Sequence, residues 1–139
     1  MTSVTISVTE DSQTCFDLRK AVFMDEQGFP IDLDEYDDIA LHLLAKDGER
    51  PVGAARVVID EDVAKIGRIC VLPDMRGSGL GAAIVRAAMD IARDMPGVTT
   101  AQLSAQVRAM AFYENLGFEA EGPPEDVLGV AHQTMVRPL

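Results

Sequence analysis

Alternation opens the chain. Val4, Ile6 and Val8 alternate with Thr5, Ser7 and Thr9, which predicts a half-buried strand. Glu10, Asp11 and Ser12 then supply capping chemistry for a helix start. Cys15, Leu18 and Val22 recur at helical spacing, so a helix is expected to about Gln27, with Gly28 and Pro30 ending it. An acidic stretch, Asp32 to Asp38, reads as a loop or weak turn. Three strand-like segments follow at about Ala40–Lys46, Val52–Asp60 and Val63–Leu72, separated by turn signals at Asp47–Gly48 and Asp60–Asp62.

Leu80, Ile84, Ala88, Ile91 and Met95 mark one face of a long helix that Pro96–Gly97 stops. Thr99 to Ala105 is β-prone. Ala109, Phe112, Tyr113 and Leu116 mark a second helix, with Gly117 as its cap. Strands are expected from Phe118 and near His132–Val136. The order lacks regular βα alternation. It predicts a single-domain α/β fold over 1–139: a mixed, mostly antiparallel sheet of six to seven strands with flanking helices.

Composition narrows the function. The chain has 139 residues, 47% of them hydrophobic and 25% charged, which suits a folded domain with its own core. Its net charge of −11 disfavours nucleic acid and anionic membranes as partners. A polyanion would need a local, preorganised site. Cys15 and Cys70 read as reduced core cysteines, and His42 and His132 lack metal-ligand spacing, so no metal is expected. Met1 to Glu10 has no signal-peptide pattern, and Arg86, Asp90 and Arg93 interrupt the apolar helix. A soluble cytoplasmic protein is expected, with homodimer formation left open.

The sharpest local signal is Arg76-Gly77-Ser78-Gly79-Leu80-Gly81, after Ile69-Cys70-Val71-Leu72-Pro73-Asp74. Glycines let the backbone approach a ligand, and N–H groups at a helix start bind anions. A phosphate or pyrophosphate is the natural ligand. A P-loop would need a Lys after these glycines, and none follows. A dinucleotide fingerprint is met formally by Gly77, Gly79 and Ala82, but no ribose-binding carboxylate occurs in Thr99 to Ala105.

The run Val71-x-Pro73-x-x-Arg76-Gly77-x-Gly79-x-Gly81 resembles the acetyl-coenzyme A motif of the GNAT N-acetyltransferases. Ala111-Phe112-Tyr113-Glu114-Asn115-Leu116-Gly117-Phe118 resembles a second motif of that family. Val22-Phe23-x-x-Glu26-Gln27-x-x-Pro30, then Asp34, His42 and Gly129-Val130-Ala131-His132-x-x-Met135, is similar to a small bacterial branch. Ala131 and Leu41 stand where that branch usually has Pro and Arg. The resemblance implies acetyl-CoA as co-substrate and a splayed pair of strands that admits the thioester. Backbone groups near Cys70, Val71 and Leu72 would hold the pantetheine arm. N–H groups of Arg76, Gly77, Ser78, Gly79, Leu80, Gly81 and Ala82 would cradle the pyrophosphate. Gln106 stands where many members carry Asn. Phe23, Asp34 and His42 fall on the acceptor side of the same comparison.

Acyl transfer to an amine needs orientation, a base for the amine and a donor for the departing thiolate. The resemblance places the Tyr113 hydroxyl near the sulfur, as the acid. Glu26, beside a Gly-Pro break, and His132, an imidazole able to exchange protons near neutrality, are both candidates for the base. Cys70 lies in an apolar run and reads as unreactive. The expected activity is acetyl transfer from acetyl-CoA to a primary amine by direct attack on the thioester, the acceptor being a small amine, an amino acid or a protein terminus. The alternative is a non-catalytic acyl-CoA sensor. The Asp32–Asp38 run reads as a solvated loop, or as an attractor for a cationic amine.

Overall fold

A computed structural model describes residues 3–139. Met1 and Thr2, part of the stretch read above for a signal peptide, lie outside them. Strand β1, Val4–Thr9, leads into helix α1, Ser12–Arg19. The Asp11 carboxylate accepts the Thr14 N–H at 3.2 Å and so caps α1. The helix continues to Glu26, as expected, but Lys20–Glu26 is wound as a π-helix. The Gln27 N–H reaches back to Val22 O at 3.1 Å. Such wider turns are rare and often border functional sites.

Strands β2 (Leu41–Asp47), β3 (Arg50–Asp60) and β4 (Val63–Val71) form the expected antiparallel meander. Helix α2 spans Leu80–Arg93, and β5 spans Thr100–Gln106. A short helix, α3, covers Met110–Glu114, preceded by a tight turn at Val107–Ala109. The Phe118 N–H bonds back to Tyr113 O at 3.1 Å, and Gly117 takes φ +91° to close that helix. Strands β6 (Glu119–Ala120), β7 (Glu125–Val127) and β8 (Val130–Pro138) complete the chain.

The sheet order is β1-β2-β3-β4-β5-β8-β6, with β7 also pairing β8, which makes eight strands. The hydrophobic pattern counts six to seven. It misses β7, which has three residues, all exposed, so no alternation marks it.

The two faces of the meander carry different cores. Leu43, Ala45, Ala55 and Val57 pack under Leu80, Ile84, Val85, Ala88, Met89 and Ala92 of α2. Leu44, Ala54 and Cys70 pack on the other face against Cys15, Leu18 and Val22. Adjacent strand residues thus point to opposite layers, as a period of two requires. The sheet lies between α1 and α2.

One junction departs from regularity. Strands β4 and β5 are parallel and pair over Val63–Lys65 with Thr100–Gln102. Beyond that they separate. Opposite β3, Gly67 pairs with Arg56 and Cys70 with Ala54, so Arg68 and Ile69 share the single Ala55. This is a bulge, and Arg68 sits in it with φ +50°. Bulges bend the strand that carries them. The bend lies just past the point where β4 and β5 part.

Candidate functional site

The gap between β4 and β5 opens into a cavity of about 580 Å³. Its walls bring together Phe23, Glu26, Cys70, Val71, Arg76, Gln106, Tyr113 and His132, eight residues singled out in the sequence. Beyond Lys65, the facing edges of β4 and β5 have no strand partner across the gap. An extended ligand arm can therefore bond to backbone there.

At one end of the gap lies the glycine loop. Gly77 and Gly79 adopt φ +78° and +87°, which an L side chain rarely tolerates. Ser78 Oγ donates back to Met75 O and ties the loop. Gly79 is the N-cap of α2 and supplies no side chain, so the N–H groups of Leu80, Gly81 and Ala82 make no hydrogen bond among the described residues. A Cβ on Gly81 would stand 3.4 Å from the Phe112 ring, so the backbone passes close to α3 at that point. Open N–H groups, glycine geometry and the dipole of a 14-residue helix fit a diphosphate.

Arg76 is engaged. Its guanidinium donates to both oxygens of Glu26, at 2.6 and 2.7 Å, and its Nε donates to Val71 O at 3.1 Å. The Arg76 hydrogen bond holds the Glu26 carboxyl below its ordinary range. Glu26 is thus a carboxylate with a partner, poorly suited to take a proton from an amine. Gln106 receives the Arg108 Nε–H at 2.9 Å and donates to Gln27 at 3.0 Å. The end of the first helix is therefore tied to both walls of the gap.

Tyr113 stacks edge-on against Phe112 and Phe118. Its hydroxyl makes no hydrogen bond within the described residues, and burial pushes the phenol up to about 12. It stays protonated and able to donate. His132 sits opposite Gln106 in the β5–β8 register. Its Nδ1 lies 2.9 Å from Val130 O. A carbonyl can only accept, so Nδ1 carries a proton, and in the neutral imidazole the lone pair is on Nε2. Cys70 borders the cavity, but burial raises its thiol to about 12, which keeps it from acting as a nucleophile. Cys15 and Cys70 are both free and buried.

Asp34 and His42 stand outside this cavity. They belong to a buried charge cluster that sequence reasoning did not foresee. Arg19, only 1% exposed, donates Nε to Asp32 at 2.7 Å and both terminal nitrogens to Asp37 at 2.7 and 3.0 Å. Arg56 donates to Asp34 at 2.6 and 2.8 Å and to Asp37 at 3.0 Å. Arg68 bonds Asp32 and Asp34. His42 Nε2 lies 2.9 Å from Asp37 O, so it is the donor, and Nδ1 is left buried without a partner. The Asp32–Asp38 run is therefore no solvated loop: Asp32 and Asp37 are buried and matched by arginines. Asp32, Asp34 and Asp37 spend their charge on these arginines, while Glu35 and Asp38 of the same run stay exposed.

Residues 6–118 match the model of the Acetyltransferase (GNAT) family. The chain belongs to the GNAT acetyltransferases. A candidate acetyltransferase of Bacillus subtilis (strain 168) is 38% identical over 137 residues, covering 95% of this chain and 92% of that one. A candidate N-acetyltransferase from Lactobacillus plantarum has the same fold at a TM-score of 0.88, with 26% identity and 99% and 98% coverage. An acyl-CoA N-acyltransferase from Pseudomonas aeruginosa follows at 0.85, with 26% identity and 99% of each chain covered. The GNAT chain described here is an acyltransferase with the fold of these enzymes. Among its described residues, no helix is long and apolar enough to cross a membrane.

Proposed function

We propose that this GNAT protein transfers an acetyl group from acetyl-CoA to a primary amine by direct attack on the thioester. The observation that carries the reading is the single gap between β4 and β5, with an uncapped helix N-terminus at one end and Tyr113 and His132 on its walls.

The co-substrate supplies an acyl thioester. The N–H groups of Leu80, Gly81 and Ala82 would hold its diphosphate, and the free edge of β4 at Ile69–Val71 its pantetheine arm. His132, on the cavity wall, would accept the proton of the amine at Nε2, directly or through water. The new C–N bond forms as the C–S bond breaks, and the electron pair leaves on sulfur.

Tyr113 meets that charge. A phenol near 12 is about 5 kcal/mol too weak an acid to protonate a thiolate of pKa near roughly 8.5 completely. Its role is therefore to hydrogen-bond the departing sulfur, with solvent completing the protonation. No protein nucleophile enters, because Cys70 stays a neutral thiol.

The test is an amine panel with a free-thiol readout, run on wild type and Tyr113→Phe. Hydrogen bonds to a charged group contribute about 1.5–3 kcal/mol, so kcat should fall roughly 10- to 100-fold in the variant. The acetyl-CoA Kd should not move. Turnover within twofold of wild type would remove Tyr113 from the chemistry. Binding of acetyl-CoA with no amine acetylated would favour the sensor reading instead.

A further inference from the structure

We infer that the acceptor of this enzyme is an amine that also carries a carboxylate and an apolar group, and that Arg68 is the residue that selects it. The inference rests on the N-acyltransferase reading and names its substrate class.

The cavity is cationic although the chain is strongly acidic. Its ionisable walls include Arg68, Arg76 and Arg108 against Glu26 and Asp32. Both carboxylates already have partners: Glu26 holds Arg76, and Asp32 holds Arg19 and Arg68. Among the described residues only Arg108, held by Gln106, lacks a carboxylate partner in the cavity, while Arg68 is paired but keeps one donor open.

Arg68 offers the best placed open donor. Its Nε is 3.1 Å from Asp32 O and 3.0 Å from the Asp32 carboxylate, and its Nη2 is 3.1 Å from Asp34. Nη1 has no partner among the described residues and is not buried. The guanidinium is therefore fixed on one side and open on the other. A fixed guanidinium fits a carboxylate well, because little side-chain freedom is lost on binding. Burial and the neighbouring Arg56 disfavour its charge, a cost that an incoming anion would relieve.

Position separates this charge from the diphosphate. Arg68 precedes Val71 by three residues on β4, and the glycine loop follows Val71. At about 3.3 Å per residue, less at the bulge, Arg68 lies up to roughly 10 Å back along the strand from Val71, away from the N-terminus of α2. Arg68 thus lines the cavity at the end away from the glycine loop. Apolar side chains share that end. Ile31 adjoins Asp32, the Arg68 partner, and is 63% exposed; Leu128 is 60% exposed and lines the same cavity. Exposed aliphatic groups at a cavity rim gain by covering an apolar portion of a ligand.

Leucine and leucinamide differ in the carboxylate and, through it, in the basicity of the amine, so they form the probe pair and the change on Arg68→Met reads the carboxylate contact. Each is assayed with acetyl-CoA by thiol release, and each is titrated by calorimetry into the coenzyme A-bound protein. Wild type should prefer leucine by roughly tenfold or more in kcat/KM, read mostly in KM. Arg68→Met should abolish that preference, while Arg68→Lys should keep part of it. Coenzyme A binding and the melting transition report that each variant is folded. Equal use of the two amines by wild type, or an undiminished preference in folded Arg68→Met, overturns the inference and leaves N-acetylation standing. If no amine is acetylated, the enzymatic reading falls. Calorimetry then decides the Arg68 assignment alone: tighter binding of leucine supports it, and equal binding overturns it.

Discussion

Two regions of this protein handle polar groups in opposite ways. In the cluster under α1, three arginines and three aspartates face one another, and nearly every donor is matched. At the glycine loop, three successive N–H groups of α2 have no partner among the described residues. Polar groups satisfied inside a fold make a frame; polar groups left open make a site. The cluster anchors the segment 32–37 against β3 and β4, and so positions Arg68 and the cavity wall.

Breaking the frame should have the largest effect. Asp37 is 8% exposed and takes bonds from Arg19, Arg56 and the Asp34 N–H. Asp37→Ala leaves Arg19 buried with half its partners gone, a change worth about 3–5 kcal/mol of stability. Chemical denaturation measures it, and a loss under 1 kcal/mol would show that the cluster relaxes.

Acid should act in the same direction. Burial alone would raise the Asp37 carboxyl, but hydrogen bonds from Arg19, the Asp34 backbone and Arg56 hold it well below the usual range. Asp34 is lowered too, chiefly by the Arg56 hydrogen bond. A depressed folded-state pKa contributes stability that is full well above the unfolded value, near 3.9. That stability is lost as pH falls through the unfolded value toward the folded one. The melting temperature of wild type should therefore drop steeply below about pH 4, and Asp37→Ala should show a shallower drop.

The same contrast explains what could be read from the sequence. The glycine loop was legible because its chemistry is local: Arg76 to Ala82 carries the glycines, the turn and the helix start in seven neighbouring residues. The meander and α2 were legible from period. The charge cluster was not, because Arg19, Arg56 and Arg68 meet Asp32, Asp34 and Asp37 only after three strands and a helix have packed. An acidic run viewed alone resembles a solvated loop. One signal was present: Gly67-Arg68 interrupts an apolar strand, the pattern of a bulge that re-aims a side chain. The π-helical winding at Lys20–Glu26 had no sequence mark, and it sets which side chains of that segment face the gap.

Closing the open region should have an intermediate effect. Gly79 has φ +87°, and a Cβ built there meets no protein atom within 4 Å. Gly79→Val would therefore act through backbone strain and by placing a branched side chain beside the open N–H groups. The acetyl-CoA Kd should rise at least tenfold, about 1.4 kcal/mol, with the cluster and its acid sensitivity untouched. An unchanged Kd in calorimetry would move the diphosphate away from α2.

The smallest effect is expected where the two regions are joined through the helix that separates them. Glu26 ends the π-helical turn and grips Arg76 at the start of the glycine loop. Both side chains are about 40% exposed, and exposed pairs of this kind contribute little to stability. Glu26→Gln should leave the melting temperature nearly unchanged and free Arg76 to face an anion, so acetyl-CoA binding should hold or tighten slightly. Because Arg76 keeps the Glu26 carboxylate charged and occupied, kcat should stay within roughly threefold of wild type. His132→Gln should lower kcat far more, since it removes the Nε2 lone pair. A hundredfold loss in Glu26→Gln, together with loss of the acidic limb of the kcat–pH profile, would reverse the assignment. The amine proton would then go to Glu26, with Arg76 leaving it when the diphosphate arrives.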